Sequence, residues 1–206
     1  MQQFWNERYG QQEMAYGLEP NDFLREQLHV LKPGRLLLPA EGEGRNAVFA
    51  AKQGWDVLAF DYSEAGQVKA LALAAQQSVS IDYRLADAGS FTLEPESVDA
   101  VALVYAHLPA PVRLGLHSKV QKWLKPGGVV ILEAFHPKQL GYTSGGPKDK
   151  TMLYTADLLE QDFAGMEIKV LEEQEVVLHE GVYHSGPGFV TRLVAAKTTI
   201  ETIQTK

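Results

Sequence analysis

Residues 36–61 read LLLPAEGEGRNAVFAAKQGWDVLAFD, and this stretch decides the class of fold. Apolar residues run together at its start and again near its end, which is typical of strands buried in a parallel sheet. Between them lie the turn AEGEGRN and an alanine-rich segment of helical character that ends at Gly54. The stretch therefore predicts a strand–turn–helix–strand unit of an α/β protein.

The rest of the chain continues this alternation, so we expect a doubly wound α/β fold in a single domain, 1–206. Helices are predicted at 21–31, 47–53, 63–77, 111–124 and 156–163, and strands at 35–38, 55–61, 81–85, 98–104, 129–135, 167–178 and 189–197. Ser63 and Thr155 have the residue type of helix N-caps. The last two strands are expected to form a β-hairpin at one sheet edge, and the glycine-rich segment 141–147 is expected to be a loop.

Composition restricts the possible functions. The chain carries a formal net charge of −7 without a basic cluster, which disfavours a nucleic-acid partner and favours a small-molecule one. It contains no cysteine, so disulfides, thiolate metal sites and a cysteine nucleophile are excluded. Its six histidines show no paired ligand spacing, and we expect no metal site. The polar start and the lack of a long apolar run predict a cytoplasmic protein without a membrane partner.

The turn after the first predicted strand is the candidate ligand site. Gly42 and Gly44 let the backbone approach a ligand closely, and the start of the next helix presents unpaired amides there. Asp61 ends the second strand, where its carboxylate is placed to accept hydrogen bonds from two ribose hydroxyls. Because open α/β sheets bind ligands at the carboxyl ends of their strands, we expect these residues to share one site.

Two classes of cofactor fit this turn. The spacing Gly42-x-Gly44-x-x-Ala47, with an acidic residue further on, matches the dinucleotide fingerprint. Glu41 and Glu43, however, would oppose the pyrophosphate of a dinucleotide, whereas S-adenosylmethionine brings no phosphate and carries cationic groups. The acidic turn therefore favours S-adenosylmethionine. An NAD(P)-dependent oxidoreductase is the alternative, and a binding protein of the same fold without turnover is a third possibility.

Asp87 and Ala88 follow the third predicted strand in the segment RLADAGSF. A carboxylate at this position can accept a hydrogen bond from an adenine amino group, while a neighbouring amide donates to a ring nitrogen. An aspartate in a loop is also a common turn residue. Its position after Asp61 favours the adenine interpretation.

The order GEGRNAV, LAFDYS, ADAGSF and LKPGGVVILE resembles the motif series of class I S-adenosylmethionine-dependent methyltransferases. The segments FWNERYG and YGLEPNDFL resemble, more narrowly, the branch with tellurite-resistance and thiopurine methyltransferase-like proteins. The resemblance implies a Rossmann-like, seven-stranded, mostly parallel sheet in the order 3-2-1-4-5-7-6 with the last strand antiparallel. It also implies S-adenosyl-L-methionine as cofactor, S-adenosyl-L-homocysteine as product, and an N-terminal lid over about residues 1–20.

The cofactor-binding residues that follow from the motifs and the resemblance are Trp5, Tyr9, Tyr16, Ala40, Glu41, Gly42, Gly44, Asn46, Asp61, Tyr62, Ser63, Asp87, Ala88 and Tyr105. The three N-terminal aromatics have a second interpretation, in which they only pack the first helix onto the sheet.

The first strand departs from the family pattern at two positions. Many relatives carry an acidic residue and a glycine where this chain has Leu38 and Ala40, and Pro39 lies between them. Glu41 is the residue that could replace the missing carboxylate.

The expected acceptor is a small molecule with a sulfur, selenium, tellurium or nitrogen nucleophile. Candidate acceptor-side residues are Tyr105, His136, His179, His184 and Arg192. We expect Arg192 to supply a permanent positive charge for an anionic nucleophile, with His179 and His184 adding charge below about pH 6.5. In the alternative, Arg192 pairs with a carboxylate of the hairpin. Glu180 stands where the resembled branch would have a basic residue.

Overall fold

The computed structural model describes residues 2–11 and 13–199, and the elements below lie in those ranges. Its helices are α1 (Gln2–Tyr9), α2 (Asp22–Val30), α3 (Arg45–Lys52), α4 (Glu64–Gln76), α5 (Ala110–Trp123) and α6 (Ala156–Asp162). Its strands are β1 (Arg35–Pro39), β2 (Asp56–Asp61), β3 (Asp82–Leu85), β4 (Val98–Val104), β5 (Leu124–Phe135), β6 (Glu167–Glu180) and β7 (His184–Ala196). Short 3₁₀ turns occupy Pro137–Gly141 and Lys150–Met152.

The seven strands form one sheet in the order β3-β2-β1-β4-β5-β7-β6. The first five strands pair in parallel, while β7 runs antiparallel to both β5 and β6. The expected fold class and strand order are confirmed. The parallel order places the carboxyl ends of β1, β2 and β4 side by side at one edge, which is where ligands of such sheets bind.

Helices cover both faces of the sheet. Leu36 and Leu38 of β1 lie in a core with α2, α3 and α4, whereas Leu37 lies in a second core with α5 and α6. All three leucines are fully buried because successive side chains of a strand point to opposite faces and both faces are covered here. The continuous apolar run in the sequence is a consequence of this double burial.

The predicted N-caps are confirmed in their geometry. The Ser63 hydroxyl accepts a hydrogen bond from the Gly66 amide, and the Thr155 hydroxyl accepts one from the Leu158 amide. Asn21 likewise accepts from the Leu24 amide, so the helix predicted from Asn21 has this residue as its cap.

The hairpin differs most from the sequence-based expectation. A loop was expected between residues 178 and 189, but β6 and β7 continue to Glu180 and from His184, so only three residues form the turn. The ladder carries Gly186 and Gly188 inside β7, opposite Leu178 and Val176. Glycine weakens a strand but does not interrupt its hydrogen bonds, and local composition therefore misjudged this segment. No helix in residues 2–11 and 13–199 is long and apolar enough to cross a membrane.

Candidate cofactor and acceptor site

The turn after β1 has a left-handed backbone at several positions. Ala40, Gly42 and Gly44 have φ values of 54°, 64° and 84°. For Gly42 and Gly44 this conformation costs little, but a residue with a Cβ is strained by it. The structure thus explains why a glycine suits position 40 in the resembled family. Ala40 keeps the turn at the expense of local strain.

Glu41 caps α3. Its carboxylate accepts hydrogen bonds from the Ala47 amide at 2.8 Å and from the Asn46 side chain at 3.4 Å. The N-cap residue Gly44 has no side chain to do this. Burial raises the pKa of the Glu41 carboxyl to about 7, against the opposing effect of these hydrogen bonds. Glu41 therefore supplies a carboxyl group to the turn, while Leu38 lies in the apolar core.

Asp61 bridges the turn to the start of α4. One of its carboxylate oxygens accepts from the Gly42 amide at 3.1 Å, and the other accepts from the Ser63 amide at 2.8 Å. The residue is only 4% exposed, and burial raises the pKa of its carboxyl to about 6. The end of β2 and the turn after β1 thus meet at this carboxylate, as the sequence predicted.

Helix α1 lies over this turn. A Cβ placed on Gly42 would lie 2.5 Å from the Tyr9 hydroxyl oxygen, so the Tyr9 ring is in direct contact with the glycine. Trp5 stacks on Tyr9 with 5.2 Å between ring centroids, and Asn6 accepts a hydrogen bond from the Ser63 hydroxyl at 2.6 Å. The N-terminal helix therefore packs directly on the glycine turn and on the start of α4. Met1 and Gln12, which also belong to the predicted lid of residues 1–20, lie outside the described residues.

The acidity of the turn is partly compensated. Glu43 pairs with Lys69 at 2.8 Å and accepts a hydrogen bond from the Ala15 amide at 2.7 Å. Its charge therefore opposes an anion less than the sequence alone suggested. The charge of the turn is therefore weaker evidence between the two cofactor classes than the sequence suggested.

Asp87 lies in a turn after β3. Its side chain accepts a hydrogen bond from the Gly89 amide at 2.8 Å, as in the turn interpretation, and Ala88 packs on the core beside it. Tyr62 lies between the two acidic residues. Burial, together with the charges of Asp61 and Asp87, raises the pKa of Tyr62 to about 12. Because β3 runs parallel to β2 and Leu85 pairs with Asp61, Asp87 lies at the same edge of the sheet as Asp61.

Tyr105 marks the end of β4. Its φ of 50° is a strained value for a residue with a Cβ, and such strain is often found at functional sites. Its ring stacks on Phe135, and its hydroxyl donates to Glu133 at 2.8 Å. Tyr105 thereby connects the cofactor edge to the polar residues of β5 and the hairpin.

Seven side chains form a buried group that we call the polar cluster. It contains Asn21, Arg45, Tyr105, Glu133, Glu180, His184 and Arg192. Glu133, at 2% exposure, accepts from Asn21 at 2.6 Å, from Tyr105 at 2.8 Å and from Arg192 at 2.5 Å. Asn21 also donates to Glu180 at 2.9 Å, and Arg45 pairs with Glu180 at 2.7 Å.

The polar cluster corrects the expected charge of the acceptor side. Arg192 is paired with Glu133 and Arg45 with Glu180, so two carboxylates balance two guanidinium groups. The alternative, in which Arg192 pairs with a carboxylate, is therefore the observed one, although its partner lies on β5. His184 adds no charge near neutral pH, because burial lowers the pKa of its imidazole against the opposing effect of Glu180.

The other two histidine candidates lie outside the polar cluster. His179 is exposed on β6 opposite Ser185. His136 caps the turn after β5 by accepting from the Lys138 amide at 3.0 Å, and its other ring nitrogen lies 3.4 Å from Glu173. Tyr16 packs against the polar cluster, with its ring centroid 4.5 Å from that of His184.

Four residues of the polar cluster were not named as site residues from the sequence. They are Asn21, Arg45, Glu133 and Glu180, which come from the start of α2, the start of α3, the end of β5 and the end of β6. A signal was present for Glu133, because it is a single carboxylate within the apolar strand VILEAF. Glu180 was noticed only as a departure from a basic residue.

Solved structures share this architecture. A protein that converts a disulfide bond into a thioacetal group during echinomycin biosynthesis aligns with a TM-score of 0.78 and 17% identity, over 96% of this chain and 93% of that one. TehB from Haemophilus influenzae aligns with a TM-score of 0.72 and 15% identity, over 96% of this chain and 67% of TehB. An S-adenosylmethionine-dependent methyltransferase from Methanosarcina mazei aligns with a TM-score of 0.69 and 15% identity, over 88% of this chain and 100% of that one.

Residues 39–128, from the end of β1 into β5, match the family model of a methyltransferase domain. This segment contains the glycine turn, Asp61 and Asp87. The fold is that of class I S-adenosylmethionine-dependent methyltransferases. No curated protein sequence matches it. The strand order and the domain match do not support the alternative of an NAD(P)-dependent oxidoreductase.

Proposed function

We propose that the chain is an S-adenosylmethionine-dependent methyltransferase, which transfers the methyl group in line to a small-molecule acceptor with a sulfur, selenium, tellurium or nitrogen nucleophile. The observation that carries this proposal is the cover over the polar cluster. A Cβ on Gly181 of the hairpin turn would lie 2.5 Å from the Gly17 nitrogen, so the hairpin and the N-terminal segment are in backbone contact above the sheet edge. A covered edge suits a small acceptor better than a macromolecule.

The donor would lie along the first four strands. In this proposal Asp61 and Tyr62 bind the ribose, Asp87 and Ala88 the adenine, and the turn from Ala40 to Gly44 the methionine part. Asn46 and Ser63 steady the turn and the start of α4, and the N-terminal aromatics cover the bound donor. Tyr105 is where the methyl group meets the acceptor. These roles are assigned from the position of the residues at the carboxyl ends of the parallel strands, where such sheets bind their ligands.

The charge balance of the polar cluster favours an acceptor that is neutral when it binds. A neutral thiol, selenol or amine meets no net charge there, whereas an anion would need a free cation that Arg192 does not provide. The solved relative that acts on a disulfide during echinomycin biosynthesis supports sulfur as the nucleophile. TehB is consistent with the tellurite-resistance branch. Positioning and exclusion of water are the main contributions of such a site to the rate.

Ligand binding tests the donor part of the proposal. S-adenosylhomocysteine at about 100 times its Kd should add about 2.7 kcal/mol of stability, which raises Tm by about 5–11 °C for a domain of this size. NAD should give no shift. Asp61→Ala should lower the affinity about ten- to a hundred-fold in calorimetry, since charge-assisted hydrogen bonds to the ribose are lost. Asp56→Ala, on the same strand but exposed, is the matched control and should bind normally.

Methyl transfer to named probes tests the acceptor part. We expect transfer to 2-mercaptoethanol or to a small primary amine in single-turnover assays with labelled S-adenosylmethionine. Binding of NAD in place of S-adenosylhomocysteine would refute the donor assignment. Transfer to RNA or to protein but to no small nucleophile would refute the acceptor assignment.

A further inference from the structure

His184 is enclosed at the acceptor side of the polar cluster. It is 5% exposed, and the rings of Tyr16, Tyr105 and Phe135 surround it at centroid distances of 4.5, 4.6 and 5.0 Å. Aromatic rings therefore make up much of its surroundings. Its polar contacts are made by the two ring nitrogens.

The Nδ1 edge faces Glu180. The distance from Nδ1 to the nearer carboxylate oxygen is 3.5 Å, a long contact of the kind that often shortens when a substrate binds. This carboxylate is itself held in place, because Arg45 donates to one oxygen at 2.7 Å and Asn21 donates to the other at 2.9 Å. Glu180 therefore has little freedom to turn away from His184.

Glu180 is ionised next to a neutral imidazole. Burial raises the pKa of Glu180, but the hydrogen bond with His184 and the charge of Arg45 outweigh it and bring the pKa to about 2. Burial lowers the pKa of His184. A neutral imidazole carries one ring proton, and a carboxylate facing Nδ1 favours the tautomer with that proton on Nδ1.

The Nε2 edge faces the glycine-rich loop. A Cβ placed on Gly145 would lie 3.2 Å from Nε2, and Gly145 has a φ of 115° that side chains rarely adopt. No hydrogen bond to Nε2 comes from residues 2–11 or 13–199. The absence of a side chain at Gly145 therefore lets the loop backbone pack closely beside Nε2, which carries an unshared electron pair in the Nδ1–H tautomer.

We propose that Glu180 is a positioning residue that holds His184 in the Nδ1–H tautomer, so that Nε2 serves as the base for a protonated acceptor. This inference rests on the proposed function. It replaces the expected role of His184 as a positive charge with the opposite protonation state. It also gives a specific role to Glu180, which stands where the resembled branch would have a basic residue.

The proposed step balances as follows for an acceptor X–H. The electron pair on X forms the bond to the methyl carbon, while the carbon–sulfur bond breaks and its electron pair goes to the sulfonium sulfur. The proton of X–H moves to Nε2 of His184, giving an imidazolium that faces the Glu180 carboxylate. The products are X–CH₃ and neutral S-adenosylhomocysteine. An acceptor that is already anionic would not need this base.

The titratable and charged groups around His184 come from several elements. They are Arg8 of α1, Tyr16 of the N-terminal segment, Arg45 of α3, Tyr105 and His107 after β4, and Glu180 of β6. Burial raises the pKa of both tyrosines and lowers that of His107 to about 4, so none of the three titrates near neutral pH.

Nitrogen NMR of the histidine rings tests the proposal without an acceptor or a donor. The ¹⁵N-labelled full chain should show His184 with a protonated Nδ1 and an unprotonated Nε2 at pH 7, its signals assigned by their loss in His184→Gln. In Glu180→Gln the two tautomers should become comparably populated, and the pKa of His184 should fall further. Glu175→Gln, an exposed carboxylate on the same strand, is the control and should leave the His184 signals unchanged.

The wild-type spectrum alone keeps the proposal testable if Glu180→Gln folds poorly. A proton on Nε2 in the wild type overturns the proposal, and so does a tautomer that Glu180→Gln leaves unchanged. S-adenosylhomocysteine binding is measured separately, so this failure is distinct from failure of the proposed function. Absence of that binding overturns both.

Kinetics adds a readout that a purely structural role would not move. With 2-mercaptoethanol as the probe, Glu180→Gln should lower kcat/KM at neutral pH at least about tenfold relative to wild type. The acidic limb of its pH profile should shift to lower pH, because the carboxylate that raises the pKa of His184 is gone. Glu180→Asp, which keeps the charge, should restore part of the activity. An unchanged limb would contradict the proposal.

Discussion

Replacement of Arg192 by methionine separates a structural from an acceptor-binding role. The Arg192 side chain is 18% exposed and its partner Glu133 only 2%, so this is a largely buried ion pair. Breaking a buried pair costs about 3–5 kcal/mol, because the remaining charge lacks its partner. Glu133 keeps the hydrogen bonds from Asn21 and Tyr105, which places the expected loss near the lower end, about 3 kcal/mol.

The loss should appear in urea and thermal unfolding. A loss of about 3 kcal/mol corresponds to a fall in Tm of about 6–12 °C for a domain of this size. Methionine keeps much of the apolar stem of Arg192, whose guanidinium lies 4.8 Å from the Phe23 ring centre. The double variant Arg192→Met/Glu133→Gln should recover part of the loss, since no ionised carboxylate is then left without its partner.

An exposed pair in the same protein is the control. Arg84 and Asp82 form a salt bridge at 2.7 Å with side chains 46% and 49% exposed. Arg84→Met should cost less than about 1 kcal/mol. If Arg192→Met costs no more than Arg84→Met, the reasoning from burial is refuted. If it also abolishes methyl transfer per folded molecule, Arg192 acts on the acceptor after all.

Two further predictions concern the glycine turn. The pKa of the Glu41 carboxyl is raised from 4.5 to about 7 in the folded chain, so the protonated form stabilises the fold. This contribution to the free energy of unfolding is fully present below about pH 4.5 and is lost as the pH rises through 7. In urea unfolding, the stability of Glu41→Gln relative to wild type should therefore rise by on the order of 2 kcal/mol from pH 5 to pH 8. The same stability difference at both pH values would contradict the shifted pKa. Gly44→Ala should destabilise by about 1–3 kcal/mol more than Gly54→Ala, because both glycines have positive φ but only the Cβ at position 44 would meet Ala70, at 2.5 Å. Equal losses in thermal unfolding would show that α4 yields at this contact.

Much of the sheet could be predicted from the sequence because its signals are local. The continuous apolar strands, the caps Ser63 and Thr155, and the glycine turn each follow from a few neighbouring residues. The meeting of Gly42 with Asp61 was also predictable, since parallel strands place their carboxyl ends together. The length of the hairpin was not, because Gly186 and Gly188 resemble a loop in composition while their partners on β6 lie 8 and 12 residues earlier.

The polar cluster was decided only by the tertiary structure. Its hydrogen-bonded partners lie far apart in the sequence. Asn21 and Glu180, for example, are 159 residues apart. Apart from Glu133, which stands out as a carboxylate within an apolar strand, each residue alone looks like an ordinary cap or surface charge. Their ionisation and pairing depend on burial and on which charges meet, and both are set when the sheet and its helices pack. The sequence by itself thus determined the fold and the edge where the glycine turn meets Asp61, whereas packing decided that Arg192 is neutralised and that His184 faces a carboxylate.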